Sequence, residues 1–294
     1  MTAFTAADNL KAAVLMVLAM SLFAANDAIV KWLTAGLPTG EIMFLRGIVA
    51  TGLLLVASRA LGDRITVSGL FERWSLIRGA VEVTATYLFL TSIKLLPLAT
   101  ASTLLFAAPI FVTALSMPLF GERVGVWRWS AVVAGFVGVV IIAAPGAAGL
   151  NVAMAVPIAA AFAVSGRDIV TRFIPATVPS GSVAITSSVC VTLGGLATAP
   201  WGWVTPQTGD LAWIAGAATL LATAYSLYVV TIRTGELSFT APFKYVVILW
   251  AAVFGMIFWS EIPELRAVVG AVIIIVSGLV IFYRERRLAA LPPR

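Results

Sequence analysis

Lys94–Ala144, KLLPLATASTLLFAAPIFVTALSMPLFGERVGVWRWSAVVAGFVGVVIIAA, decides the fold class of this chain. It holds two apolar runs of about twenty residues, and a helix of that length crosses roughly 30 Å of hydrocarbon. Only the polar turn Gly121-Glu122-Arg123 separates them, so the stretch predicts a helical hairpin in a membrane.

The same pattern returns 139 residues later. Tyr87-Leu-Phe-Leu-Thr-Ser-Ile-Lys94 lies over Ser226-Leu-Tyr-Val-Val-Thr-Ile-Arg233, then Leu98 meets Leu237 and Glu122 meets Glu261. At an offset of 139 to 140, Ala28-Ile-Val-Lys-Trp-Leu33 falls over Asp168-Ile-Val-Thr-Arg-Phe173. One shift accounts for three separate stretches, which reads as an internal duplication.

Composition agrees with a membrane solvent. The chain is 61% hydrophobic and 11% charged, with a mean hydropathy of +1.05, against roughly 25% charged in an ordinary soluble domain. The net charge of +6 is not a nucleic-acid footprint, because the arginines fall in the gaps between apolar runs rather than along one face. One cysteine, Cys190, forms no intrachain disulfide, and with no histidine no metal or cofactor site is expected. The first apolar run is longer than a signal-peptide core and lacks its cleavage pattern, so it counts as a span.

Ten spans are predicted: 11–33, 40–58, 74–94, 99–120, 127–144, 151–173, 181–200, 210–232, 239–259 and 266–284. With the N-terminus cytoplasmic, twelve Lys and Arg residues fall in inside segments and three, Lys31, Lys94 and Arg266, outside. That asymmetry places both termini inside. Five spans per copy is an odd number, so the second copy enters the membrane upside down. The predicted fold is therefore an all-α membrane protein with ten transmembrane helices in a 5+5 inverted-topology repeat, residues 1–146 and 147–294. Such repeats are a recurrent build for secondary transporters.

The stretch LLPLATASTLLFAAPIFVTALSMPLFGERVGVWRW resembles the signature region of EamA-type carriers in the drug/metabolite transporter superfamily. Its echo, GELSFTAPFKYVVILWAAVFGMIFWSEIPELRAVVGAVIIIVSGL, resembles the matching region of their second half. ANDAIVKW and APFKY are similar to the amino-acid and metabolite exporters, the YddG-like proteins among them. One departure is Ser260, which stands where the second half would carry Gly before Glu261 and bears on the tightness of that turn.

Ionisable groups inside spans are costly and face an interior or a wet cavity. Asp27 and Lys31 lie four apart on one helical face and can pair; Asn26 points elsewhere and is a candidate for a cavity hydrogen bond. Arg78 and Glu82 repeat the i, i+4 pattern, with Thr86 continuing their face. Glu82 is either half of a structural pair or, lacking a near cation, the carrier of a proton or the partner of a substrate ammonium. Arg167 and Asp168 diverge by about 100° as helix neighbours and are expected to pair with Arg172 or Glu236 at the inner rim. Lys244 is a lone cation that can receive a carboxylate, balance Glu82 or snorkel to the headgroups.

Phe106, Tyr225 and Tyr228 offer apolar bodies for a cavity that takes amphipathic molecules. Pro109 and Pro118 in span four, and Pro242 and Gly255 in span nine, are candidate hinges or kinks that merely shape the bundle. Gly135, Gly138, Gly270 and Gly278 read as close helix packing, with a homodimer contact left open.

The spans supply neither paired mid-depth acids nor a nucleophile with its base, so no catalytic residues are expected. The sequence points to a carrier that exports small organic metabolites, foremost amino acids such as aromatic or other neutral ones. The cavity would be lined by spans one, three, four, six, eight and nine, a set taken partly from the resemblance. Facilitated movement is preferred over proton coupling. A drug or amphipathic-cation exporter, an uptake carrier of the same fold and a channel-like pore are the alternatives. The lipid bilayer and the small-molecule substrate are the expected partners, with no nucleic acid.

Overall fold

The computed structural model describes residues 5–60, 62, 64–120, 126–143, 152–234 and 237–289, and every regular element in them is helical. The helices are α1 (Ala6–Leu33), α2 (Thr39–Ala60), α3 (Val67–Leu70), α4 (Arg73–Leu95), α5 (Leu98–Leu105), α6 (Ala108–Phe120), α7 (Val126–Ala143), α8 (Ala155–Thr171), α9 (Ser180–Leu196), α10 (Thr208–Thr234), α11 (Leu237–Thr240), α12 (Val246–Trp259) and α13 (Leu265–Ala289). Among the described residues seven segments are long and apolar enough to cross a membrane: 7–33, 39–60, 73–95, 98–115, 152–171, 208–231 and 242–259. Three shorter apolar helices, 129–142, 180–196 and 265–280, complete the bundle.

Local chemistry sets the ends. Thr5 caps α1 reciprocally: Asp8 N–H donates to its hydroxyl at 3.2 Å, and Thr5 N–H donates to the Asp8 carboxylate at 2.9 Å. Glu72 accepts the Ser75 N–H at the start of α4, 2.7 Å away. Prolines 38, 97, 179 and 263 lie just ahead of helices α2, α5, α9 and α13, where a missing N–H costs nothing. The turn after α12 closes on Ser260, a non-glycine residue at φ 54°, with Glu261 N–H donating to Gly255 O at 3.0 Å. The tight turn is therefore made, and Ser260 adopts the left-handed conformation that glycine adopts freely.

Helix breaks fall where the prolines predict them. The span from Leu98 is interrupted at Phe106-Ala107, just before Pro109, and the segment 241–245, which contains Pro242, is a 3₁₀ turn ahead of α12. Pro118 lies in α6 with its side chain outside the described residues, as does the turn at Gly121-Glu122-Arg123. Gly255 lies within unbroken α12; a Cβ there would come 2.9 Å from Glu261 Oε2, so its missing side chain makes room for that carboxylate.

α1 packs on α10 and α12, α4 on α8 and α9, α2 on α9 and α10, α5 on α8 and α12, and α7 on α13. α7 and α13 approach closely: a Cβ on Gly138 would lie 3.0 Å from Gly270 O. The C-termini of α1, α4, α9 and α12 share one end with the N-termini of α2, α5 and α10, through contacts such as Lys31–Glu261, Glu261–Leu98 and Glu41–Val204. The opposite end gathers the N-termini of α4 and α9 with the C-terminus of α8, through Arg78–Thr171 and Thr66–Ser182. These are called the Lys31 end and the Arg78 end below.

Val14, Leu18, Val133, Val137, Val140, Leu249, Ile257 and Val272 are exposed on the outer faces, as lipid-facing side chains must be.

Candidate functional site

A cavity of about 780 Å³ opens between α1, α2, α4, α5, α8, α9, α10 and the 241–245 turn, within the range of small-molecule sites. Towards the Lys31 end it is sealed by the cluster of Val30, Leu33, Ile42, Met43, Ile93 and Leu98. Exposure rises towards the Arg78 end, from Asn26 at 1% to the Asp168 side chain at 47%, so water enters from there. A smaller cavity of about 250 Å³ lies at the Lys31 end, beside Pro97, Ala99, Thr100 and Glu261.

Asn26, Glu82, Thr86, Phe106, Tyr225, Tyr228 and Lys244 all line the larger cavity. α2 and α9 line it too, through Arg46, Gly47 and Ala50 and through Ser187 and Ser188, although neither helix was expected there. Four cations (Arg46, Arg78, Arg167, Lys244) and three carboxylates (Asp27, Glu82, Asp168) share the wall. Polar groups of both signs thus border an otherwise apolar and aromatic space.

Near the mouth the charges satisfy one another. Arg167 donates to both Glu82 oxygens at 3.2 and 3.3 Å and to Asp168 at 2.8 Å, while Arg78 lies 3.8 Å from Glu82 and donates to Ser187 and, at 3.0 Å, to Thr171. Two cations flank Glu82, so the premise of an isolated carboxyl holding a proton is not met. The expected divergence of Arg167 from Asp168 is also corrected: the long guanidinium arm bends back over one residue step and holds both acids. The other partner considered for that rim, Glu236, lies outside the described residues. Lys244 donates to the Tyr228 hydroxyl at 2.8 Å, its ammonium 5.1 Å from the ring centroid.

Asp27 and Lys31 do not pair. Lys31 reaches across the bundle to Glu261 at 2.6 Å and to Leu96 O at 2.7 Å. Asp27 instead accepts from Asn26 Nδ2 at 2.9 Å, and Asn26 Oδ1 accepts from Arg46 at 3.2 Å. Arg46 is a wall residue that sequence reasoning passed over; a lone cation amid Gly40–Ser58 was the available signal. Phe106 meets Tyr245, ring centroids 5.2 Å apart, and these two residues stand 139 apart in the sequence. Among the described residues no group of acidic or Cys side chains could hold a metal ion.

Comparison with known proteins gives this geometry a context. Residues 10–144 match the EamA-like transporter family. The S-adenosylmethionine uptake transporter of Rickettsia prowazekii is 26% identical over 265 residues, covering 89% of each chain. The pseudopaline exporter CntI of Pseudomonas aeruginosa is 26% identical over 275 residues, 92% of this chain and 95% of that protein. The riboflavin transporter of Vibrio cholerae is 26% identical over 82% of each. A crystal structure 19% identical in sequence superposes with a TM-score of 0.64 over 95% of this chain and 99% of its own, a likeness of fold. A helical bundle around a water-reachable cavity is thus similar along about nine tenths of its length to transporters, and over residues 10–144, just under half of the chain, to the EamA-like transporter family.

Proposed function

We propose that the protein is a secondary carrier of small organic metabolites, amino acids foremost, and that it exports them across the bacterial inner membrane by alternating access. In this reading residues 1–146 and 147–294 are two five-helix halves inserted in opposite senses. The observation that carries it is the exchange pattern of the packing. Under the 139-residue offset, α1 on α10 answers α8 on α4, α2 on α10 answers α9 on α4, and α1 on α12 answers α8 on α6. The pairs α2 with α9 and α7 with α13 map onto themselves. α2 starts at the Lys31 end and its counterpart α9 at the Arg78 end, as a twofold axis in the membrane plane requires.

With both termini cytoplasmic, the cavity described here is open inward. Glu82 and its arginines then meet charged groups of the substrate, Lys244 and Tyr228 a carboxylate, Thr86 and Asn26 hydrogen-bonding groups, and Phe106 and Tyr225 an apolar body. Pro109 and Pro242 mark where the two broken helices bend as a pair. The relatives' names include both uptake and export, so the direction rests on the resemblance to exporters.

Purified protein in vesicles, tested with labelled amino acids and amphipathic cations with and without a pH gradient, checks the reading. Saturable flux with trans-stimulation supports a carrier; linear flux without it makes the protein a pore. Tags in 121–127 and 260–266 that report the same side of the membrane would overturn the inverted halves.

A further inference from the structure

At the closed end of the cavity two opposite charges, Asp27 and Arg46, face the same space without bonding each other. Asn26 stands between them, giving its amide N–H to Asp27 and its carbonyl oxygen to Arg46. Among the described residues these are the only hydrogen bonds either charge makes, and no ion pair joins the two. A carboxylate offers about four acceptor sites and a guanidinium five donors, so most of their bonding capacity is directed at the cavity. A third group is unused as well: Ser102, 3% exposed and on the cavity wall, has a hydroxyl with no partner. The mouth cluster and Lys244 differ, because their charges are bonded within the protein.

Charges withdrawn from water cost several kcal/mol each unless compensated. Direct contact between Asp27 and Arg46 would compensate both, and the Asn26 amide holds them apart. What completes such a site is a molecule carrying the opposite pair of charges a few atoms apart. We infer that Asp27, Arg46 and Ser102 form a head-group subsite for an α-amino acid, with Asp27 taking the ammonium and Arg46 the carboxylate. The substrate's side chain then lies along the cavity towards Thr86, Phe106 and Tyr225. This rests on the carrier reading and assigns the head group to the closed end rather than to Glu82 and Lys244.

Three probes with one aromatic body separate the charges: L-phenylalanine, phenethylamine without the carboxylate, and 3-phenylpropanoate without the ammonium. Competition against the best of the twenty labelled amino acids is measured on the full chain in vesicles. The expected result is that Asp27→Asn weakens L-phenylalanine by about tenfold or more and leaves 3-phenylpropanoate unchanged, while Arg46→Gln weakens L-phenylalanine as much and leaves phenethylamine unchanged. Ser102→Ala, which removes one hydroxyl, lowers amino-acid affinity a few-fold and guards against a misfolded Arg46 variant. The inference is overturned if Asp27→Asn and Ser102→Ala bind L-phenylalanine within about twofold of the parent protein. It is equally overturned if the parent protein takes none of the twenty amino acids. Saturable, trans-stimulated flux of a probe lacking this head group would leave the carrier standing while removing the subsite; absence of saturable flux for every probe would remove the carrier itself.

Discussion

Replacing Glu261 with Gln tests what holds the Lys31 end shut. Glu261 Oε1 accepts from Lys31 at 2.6 Å and Oε2 from the Leu98 N–H at 2.9 Å, while Lys31 also donates to Leu96 O at 2.7 Å. One carboxylate thus ties together the end of α1, the turn between α4 and α5, and the turn between α12 and α13. The two side chains are 9% and 19% exposed, so water cannot readily replace the lost partner. Breaking a buried pair by removing one charge costs about 3–5 kcal/mol. Gln retains an acceptor for Leu98, which puts the expected loss at the lower end, about 3 kcal/mol. In the double variant Lys31→Met/Glu261→Gln no charge is stranded, and a coupling of about 1–3 kcal/mol is expected from the cycle. SDS titrations in mixed micelles read the stability. Labelling of Ala99→Cys, in a protein whose Cys190 is replaced by Ser, reads the opening, since Ala99 lines the small cavity beside Glu261. If Glu261→Gln unfolds within about 0.5 kcal/mol of the parent and Ala99→Cys labels at the same rate, the pair is not a lock.

Glu82→Gln leaves Arg167 its bond to Asp168 and keeps an oxygen that can still accept from the arginines, so the fold should be retained while transport falls about tenfold. Unchanged initial rates at every pH in vesicles would retire Glu82 from substrate handling. Ser260→Gly relieves a left-handed residue at φ 54° and should stabilise the protein by about 1 kcal/mol; a lower unfolding midpoint would refute that. Gly138→Leu must push α7 away from Gly270 and should cost at least about 2 kcal/mol, whereas Gly216→Ala, with open space around it, should gain about 0.5–1 kcal/mol. Equal unfolding midpoints for those two variants would contradict the close α7–α13 contact.

Helix positions were legible because apolar length and proline punctuation are local signals, and the breaks near Pro109 and Pro242 follow from a missing N–H. The cavity wall was legible for a different reason. A polar or charged side chain inside an apolar span has few places to go except inward, and Asn26, Glu82, Thr86 and Lys244, singled out on that ground, line the cavity beside the aromatic Phe106, Tyr225 and Tyr228. Their partners were not legible. Spacing put Lys31 beside Asp27, but an i, i+4 pair is worth only about 0.3–0.5 kcal/mol, and the long lysine stem reaches a carboxylate 230 residues away instead. Arg167 likewise chose its partners by arm length rather than by helix angle. Arg46 was passed over although it carried the same signal as Lys244, a lone cation within an apolar span.

The two ends of the bundle differ in chemistry, and that difference gives the closed end its hold. Lys31 answers to Thr171 under the 140-residue offset. At the Lys31 end a buried ammonium bridges two turns and a carboxylate. At the Arg78 end Thr171 accepts a hydrogen bond from Arg78 and donates to Arg167 O, both in exposed surroundings where water competes. A bond that water can replace holds little, and one that water cannot reach holds several kcal/mol. Two halves that exchanged roles freely would rest equally in either state. If the halves exchange as proposed, the deeper lock at one end favours the form open at the Arg78 end, and a head group reaching Asn26 and Asp27 would sit about one helical turn from Lys31 on α1.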